Sequence, residues 1–308
     1  MVSINNMFVI RHNKIFFSLS GIMLVLAVSA MLVFGFNISI DFKGGMLTEV
    51  AFTERPVQAE IESRIGALNF GGFSVRPFGA LNYVIRTREL TGEEKLVFME
   101  ALGNPIVERQ NTIGPVAGAE LKSKAIKAVA VVLLMIVLFI TFAFRKVSSA
   151  GLSGSSRVVP SWKYGLAAII ALIHDVVIPT GVFVILGHYL GVEIDLLFVT
   201  GLLAILGYSV HDTIVVFDRV RENLRVNREM KIDEGFEVTV GRSVSQTLGR
   251  SINTSLTIFI TLLALYFVGS AATKDFALLL IMGIVIGTYS SICLASPLLV
   301  TFYKWQRK

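Results

Sequence analysis

Asp175, Asp212 and Arg250 are ionisable residues set in or beside runs that are otherwise apolar. At membrane depth such a side chain costs about 2.5–3.5 kcal/mol on insertion scales, so its presence is read first as function. A carboxylate that takes up a proton, set near a guanidinium that never loses its charge, is a proton-operated switch. The acid carries the proton, the arginine keeps the empty carboxylate ionised, and neutralisation frees the arginine to rearrange. A proton crossing the membrane potential delivers about 2.3 kcal/mol per 100 mV. Taken alone, Arg250 would serve equally well as an interface anchor whose guanidinium snorkels to the headgroups.

The neighbours of these residues favour the switch. Residues three and four apart share a helix face, and from Arg250 that rule reaches Gln246 and Thr247 behind, then Asn253, Thr254, Thr257 and Thr261 ahead. Such hydroxyls can bond back to their own helix, but a stripe that starts at an arginine and runs along the span favours a hydrated path. Asp212 has Tyr208 and Ser209 one turn earlier on its face. His174 and His211 each precede an aspartate. Adjacent helical positions point about 100° apart, so each histidine is read as making a helix-packing hydrogen bond rather than sharing its neighbour's partner. No third ligand stands beside them, so no metal site follows, and no cofactor other than the proton is called for. The single cysteine, Cys293, excludes a disulfide framework.

The elements that carry these groups must cross a membrane. The chain of 308 residues is 54% hydrophobic and only 16% charged, an excess that needs lipid. The hydrocarbon core is about 30 Å thick and takes about 20 apolar residues per helix. Six stretches qualify: Ile15–Phe36, Ala125–Phe144, Tyr164–Leu186, Leu196–Phe217, Ile252–Val268 and Phe276–Phe302. The fifth is short and must borrow from the polar segment before it, which puts its start at Val240–Val244 and brings Arg250 to the depth of Asp212. Asp212, six residues before Asp218, lies roughly 9 Å from the end of the fourth span, and Asp175 lies near the midplane of the third. Gly283, Gly287, Ser291 and Ala295 recur every four residues in the sixth span, a face for close helix contact inside the chain or with another subunit.

Lysine and arginine fix the expected orientation. They crowd one side, with seven between Arg219 and Arg250, whereas the short hairpins Gly187–Asp195 and Gly269–Asp275 hold only Lys274. Both termini are therefore expected in the cytoplasm, and the net charge of +6 reflects cytosolic loops rather than nucleic-acid binding. The expected organisation is a cytoplasmic N-terminus with the first span over residues 1–36, a periplasmic domain over 37–124, the second span over 125–144, a linker over 145–163, and the last four spans over 164–308 with a cytoplasmic loop at 218–250. In the linker, Val147–Ser161 is rich in Ser and Gly and reads as a flexible, idle insertion. The periplasmic segment predicts strand Met46–Phe52, helix Pro56–Leu68, strands Phe73–Pro77 and Tyr83–Thr87 joined as a hairpin, helix Glu93–Leu102 capped by Thr91 with Glu94, and strand Ile106–Thr112. That β-α-β-β-α-β order is the ferredoxin-like split βαβ motif. The fold class is thus a polytopic α-helical membrane protein of six transmembrane helices with an α+β ferredoxin-like domain between the first two.

Five segments carry a resemblance to a known family: Ile40–Gly45 (IDFKGG), Ile113–Leu121 (IGPVAGAEL), Leu172–Val176 (LIHDV), Leu206–Asn223 (LGYSVHDTIVVFDRVREN) and Gln246–Ser255 (QTLGRSINTS). The chain resembles the SecF family, the smaller subunits of the SecDF complex within the resistance-nodulation-division superfamily. The resemblance implies a non-enzymatic subunit of the bacterial inner membrane that uses the proton-motive force to draw exported, unfolded polypeptide through the Sec translocon. The implied partners are SecD, as an obligate hetero-oligomer, the SecYEG translocon and YajC. It carries Asp212 onto the acid of the family's Asn-Asp-Thr/Ser motif and Arg250 onto its QTL-x-R arginine, with Asp175 matching the His-Asp of the third span. His211 stands where the family usually has Asn, which adds a second ionisable group beside Asp212. Other readings are a proton-coupled small-molecule exporter of the same superfamily and a passive scaffold. An 80-residue outer domain is small for a drug-binding pocket, and a scaffold would not need Asp212 and Arg250.

Overall fold

The structure, a computed structural model, describes residues 7–143, 159–269 and 271–307. Six helices are long and apolar enough to cross a membrane: Asn13–Phe34, Pro115–Ala143, Ser161–Leu190, Leu196–Glu229, Phe236–Val268 and Thr273–Gln306. The second starts at Pro115 rather than at the expected Ala125. Proline suits a first helical turn, where its missing N–H has no partner to lose. The fourth runs on past Phe217 to Glu229, and the fifth starts at Phe236, ahead of the expected Val240–Val244, so both project beyond their apolar stretches. The sixth is broken by a π-turn at Ser291–Ala295, with a helix resuming at Ser296. Pro297 follows at once and has no N–H to give to the turn before it, while the Ser296 hydroxyl donates to the Ser291 carbonyl at 3.1 Å. Most of the Val147–Ser161 linker lies outside the described residues.

Without a hydrophobic drive between helices in lipid, close packing and hydrogen bonds must hold the bundle. The four-residue glycine repeat of the sixth span packs inside the chain, with Gly283 against Ile205 and Gly287 against Ser209, both on the fourth span. Two family motifs clip the extended ends of the fourth and fifth spans together: Asn223 Nδ2 donates to Ser243 Oγ and to Gln246 Oε1, both at 2.8 Å. At that same end Ile10 packs into one cluster with Leu299 and Val300, so the two ends of the chain share one side of the bundle.

The domain between the first and second spans contains β1 (Gly45–Ala51), helix Gln58–Gly66, β2 (Ser74–Phe78), β3 (Asn82–Thr87), helix Gly92–Ala101 and β4 (Ile106–Ile113). The sheet order is β2-β3-β1-β4 with every pair antiparallel, the ferredoxin-like arrangement. Thr91 and Glu94 form the expected capping box. Strand alternation sends Met46, Val50, Val75, Tyr83 and Ile85 into a core with Ile61, Ile65 and Phe98 from the helices. It turns Leu47, Val84 and Phe78 the other way, against Ile40, and Arg76 and Arg86 occupy that second face.

The domain is bolted to the spans at two places. Gly44 has φ +76°, and a Cβ there would come within 2.8 Å of Pro115 Cα, while a Cβ on Gly118 would come within 2.8 Å of Gly44 N. IDFKGG and IGPVAGAEL are therefore the two halves of one close backbone contact, which only glycine permits. The second attachment is the loop Gly191–Asp195 between the third and fourth spans. Ile38 and Ile194 form a parallel bridge, with Ser39 N donating to Ile194 O at 3.0 Å and Ile194 N to Asn37 O at 2.8 Å. Asn37 Nδ2 donates to the carbonyls of Val192 and Gly191 at 3.0 and 3.3 Å, and Leu196 N donates to Asp41 Oδ2 at 3.0 Å.

Candidate proton-carrying site

Asp212 lies on the fourth span and is only 6% exposed. Its Oδ1 accepts a hydrogen bond from Ser251 Oγ of the fifth span at 2.5 Å, and its Oδ2 is buried with no hydrogen-bond partner among the described residues. A buried carboxylate with one filled and one open oxygen is a place for a proton, because an unpartnered charged oxygen is costly and a proton removes the charge. Thr213 Oγ1, the next residue, pairs with Ser291 Oγ of the π-turn at 2.9 Å, and Ser291 is also a polar neighbour of the Asp212 carboxyl, although it does not meet hydrogen-bond geometry at Oδ2. Single π-turns within α-helices are frequent at functional sites.

Asp175 is fully buried on the third span. His174 Nδ1 lies 2.9 Å from its Oδ1, and its Oδ2 accepts from Ser290 Oγ at 2.6 Å and also from Ser209 Oγ. The hydroxyls around Asp175 and those beside Asp212 thus come from the same stretches of the fourth and sixth spans, with Ser291 Oγ donating to the Ser209 carbonyl at 3.4 Å. Ser209, expected beside Asp212, serves Asp175 instead. His174 bonds to its own neighbour rather than to another helix, because the short Asp side chain reaches back to Nδ1. The imidazole also stacks near Tyr289, with ring centroids 5.9 Å apart.

The expected stripe on the fifth span divides into two faces. Thr247, Ser251 and Ser255 are buried. Ser255 Oγ lies 2.5 Å from Tyr208 OH and 2.6 Å from Thr288 Oγ1, so Tyr208 joins the interior hydroxyls as expected. Thr247 bonds the Ser243 carbonyl of its own helix at 3.0 Å. Arg250, Asn253, Thr254, Thr257 and Thr261 are exposed on the outside of the bundle. Thr257 and Thr261 donate to the carbonyls of Asn253 and Thr257, so this face is no internal water path. Gln246 belongs to the extended ends of the helices, where its Oε1 also accepts from Arg219 Nε at 2.7 Å. Arg250 and His211 remain electrostatic neighbours of Asp212, but among the described residues no ion pair engages Arg250. Arg250 makes no direct ion pair with Asp212 because Ser251 takes the inward position, and its predecessor is turned about 100° away.

Ser251, Ser255, Ser290 and Thr213 join the site without having been expected there, and Ser291, expected only on a packing face, joins it too. Thr247, Ser251 and Ser255 stand four apart, the signal that would have found the inward face.

At the loop end of the same two spans, Glu193 lies 2.7 Å from Arg86 Nη2 and 4.0 Å from Arg76 Nη1. Burial pushes the Glu193 carboxyl upward from its ordinary value, opposed by Arg86 and then Arg76. Burial pushes Arg86 downward, opposed chiefly by Glu193.

Comparison with known proteins gives these residues a family. The family described as protein export membrane protein SecD/SecF, C-terminal, matches residues 157–305. The chain is 39% identical to the protein translocase subunit SecF of Thermobaculum terrenum, over 97% of this chain and 94% of that protein. It is 36% identical to the SecF of Anaerolinea thermophila, over 95% and 92% respectively. The chain belongs to the SecF family of protein-export membrane proteins. The crystal structure of SecDF, a translocon-associated membrane protein from Thermus, superposes with a TM-score of 0.82 at 30% identity. The SecF-family chain covers 38% of that longer protein, with 97% of its own length matched. In the Thermus thermophilus protein a SecF-like part is thus one portion of a larger SecDF chain. Asp175, Asp212 and Arg250 all fall within the family match.

Proposed function

We propose that this SecF-family subunit is the proton-operated half of a protein-export motor in a bacterial inner membrane, with both termini in the cytoplasm and the ferredoxin-like domain outside. Asp212 takes up the proton, Arg250 supplies the fixed counter-charge, and Asp175 with His174 is a second acidic centre behind the same hydroxyls. The observation that carries the reading is the arrangement of Asp212: buried, with one carboxylate oxygen held by Ser251 and the other open. The exposed face of Arg250, Asn253, Thr254, Thr257 and Thr261 supports a membrane partner. An arginine facing hydrocarbon is costly, and a second subunit with its own polar groups, a SecD, would cover it and complete the proton path. No substrate bond is made or broken in this reading, so the chain is not an enzyme, and the proton is its only cofactor. The polypeptide emerging from the translocon is the cargo handled by the outer domain.

The test uses vesicles carrying the subunit with SecD and the translocon under an imposed proton gradient. Asp212→Asn and Arg250→Met are expected to insert and assemble normally yet abolish the gradient-dependent part of export. Full stimulation by either variant would refute the mechanism and leave a scaffold.

A further inference from the structure

Glu193 stands in a loop of five residues, Gly191–Asp195, whose two ends run directly into the helices that carry Asp175 and Asp212. Its carboxylate is almost wholly covered, and it meets two arginines from neighbouring strands of the sheet, Arg86 on β3 at 2.7 Å and Arg76 on β2 at 4.0 Å. The loop passes close beneath the sheet at this point: Gly191, at φ +74°, lies under the Arg76 guanidinium, where any Cβ would overlap it. Arg86 has two further buried nitrogens, Nε and Nη1, with no hydrogen-bond partner among the described residues, and Glu193 Oε2 meets its Nη2 as an ion pair outside hydrogen-bond geometry. Its charge is therefore answered mainly by Glu193, with Asp195 and Asp41 more distant.

The remaining bonds of this loop are of another kind. The Ile38–Ile194 bridge and the Asn37 and Asp41 contacts tie it to the segment that leaves the first span. Among the described contacts of the loop, the Glu193 pairs are the ion pairs that reach the strands, beside the packing of Gly191 under Arg76. Separating a buried ion pair leaves an uncompensated charge on each side, a far larger penalty than the loss of an exposed pair.

We propose that Glu193 is a positioning residue that makes the outer sheet follow the third and fourth spans, so that a change at Asp212 reaches the domain as movement. This rests on the proton-operated reading above. It goes further by assigning the link between site and domain to one ion-pair cluster, and it separates two things that the site residues leave joined, proton uptake and mechanical output.

The experiment measures both in the same vesicles, with SecD and the translocon present. Glu193→Gln is expected to keep proton uptake near the wild-type rate while gradient-driven export falls about tenfold, mid-range for coupling between sites. The reversed pair Glu193→Arg with Arg86→Glu is expected to recover export. Should the reversed pair fail to fold, Glu193→Cys with Arg86→Cys in a Cys293→Ser background gives a second route. There a short bifunctional thiol reagent is expected to restore export that the unlinked protein lacks. Wild-type export by Glu193→Gln overturns the inference, as does a parallel loss of uptake and export, which marks general damage. A wild type whose export ignores the gradient overturns the proton-operated reading itself, an outcome seen before any variant is compared.

Discussion

Ser251 donates to Asp212 across the interface of the fourth and fifth spans at 2.5 Å, while Arg250, its chain neighbour, lies exposed on the outside of the bundle. One helix therefore presents a hydroxyl to the inside and a cation to the outside at the same depth. The hydroxyl holds the carboxylate in place, and the cation acts on it from the exposed face.

Removing that hydroxyl tests the arrangement. Ser251→Ala is expected to lower gradient-driven export about tenfold or more, since hydrogen bonds to charged groups are worth about 1.5–3 kcal/mol. Ser251→Thr, which keeps the hydroxyl, is expected to retain most of it. Export rates in vesicles, with proton uptake followed by a pH-sensitive dye, report both effects.

Asp175 makes a different demand. Its three partners, His174, Ser209 and Ser290, are fully buried. Ser209→Ala and Ser290→Ala are each expected to destabilise the bundle by about 1–3 kcal/mol, the penalty for an unmet buried polar group. The double variant is expected to depart from additivity, because the two serines share one oxygen. Thermal unfolding in detergent measures this, and a sum of the single effects would deny that they act as a unit.

The glycine contact between the two signature motifs gives a stability prediction free of charge effects. Gly44→Ala combines a positive φ with a clash on Pro115, and Gly118→Ala clashes with Gly44. Each is expected to cost about 1–3 kcal/mol. Gly72→Ala, with nothing within 4 Å of the added Cβ, is the neutral control in the same unfolding measurement.

Glu94 gives a pH prediction on the domain surface. Its carboxyl is pulled down to about 2 by hydrogen bonds from Arg88 first and then from the Thr91 backbone. A depressed carboxyl contributes stability that is present above its ordinary value of 4.5 and is lost as pH falls toward 2. A carbon-13 titration of labelled glutamate is expected to show one side chain still ionised at pH 3, and Arg88→Ala is expected to return it to the ordinary range.

How much of this was legible in the sequence depended on whether the signal was local. The strands, the Thr91–Glu94 cap and the β-α-β-β-α-β order rest on periods of two and four residues, which neighbouring side chains write directly into the chain. The acid at Asp212 was legible for the same reason, as a lone charge in an apolar run. Its hydrogen-bond partner was not, because Arg250 marks the neighbouring face of the fifth span, and Ser251 is an ordinary residue until the fourth span is placed beside it. Ser290 and Ser291 were hidden by the π-turn, which changes which residues share a face. Glu193 and Arg86 are separated by more than a hundred residues, and an ion pair of that range leaves no spacing to read.

The outward face of Arg250, Asn253 and Thr254 also bears on how the cell handles the subunit before it is assembled. A copy made in excess of its partner must hold this face against lipid, at about 2.5–3.5 kcal/mol for the arginine alone on insertion scales. That cost falls on the fifth helix, and an unpaired chain is expected to be degraded faster than an assembled one. On the proposed reading the residues that complete a proton path with a partner are also those that mark a copy without one, so the chemistry of this face would favour balanced supply of the two subunits.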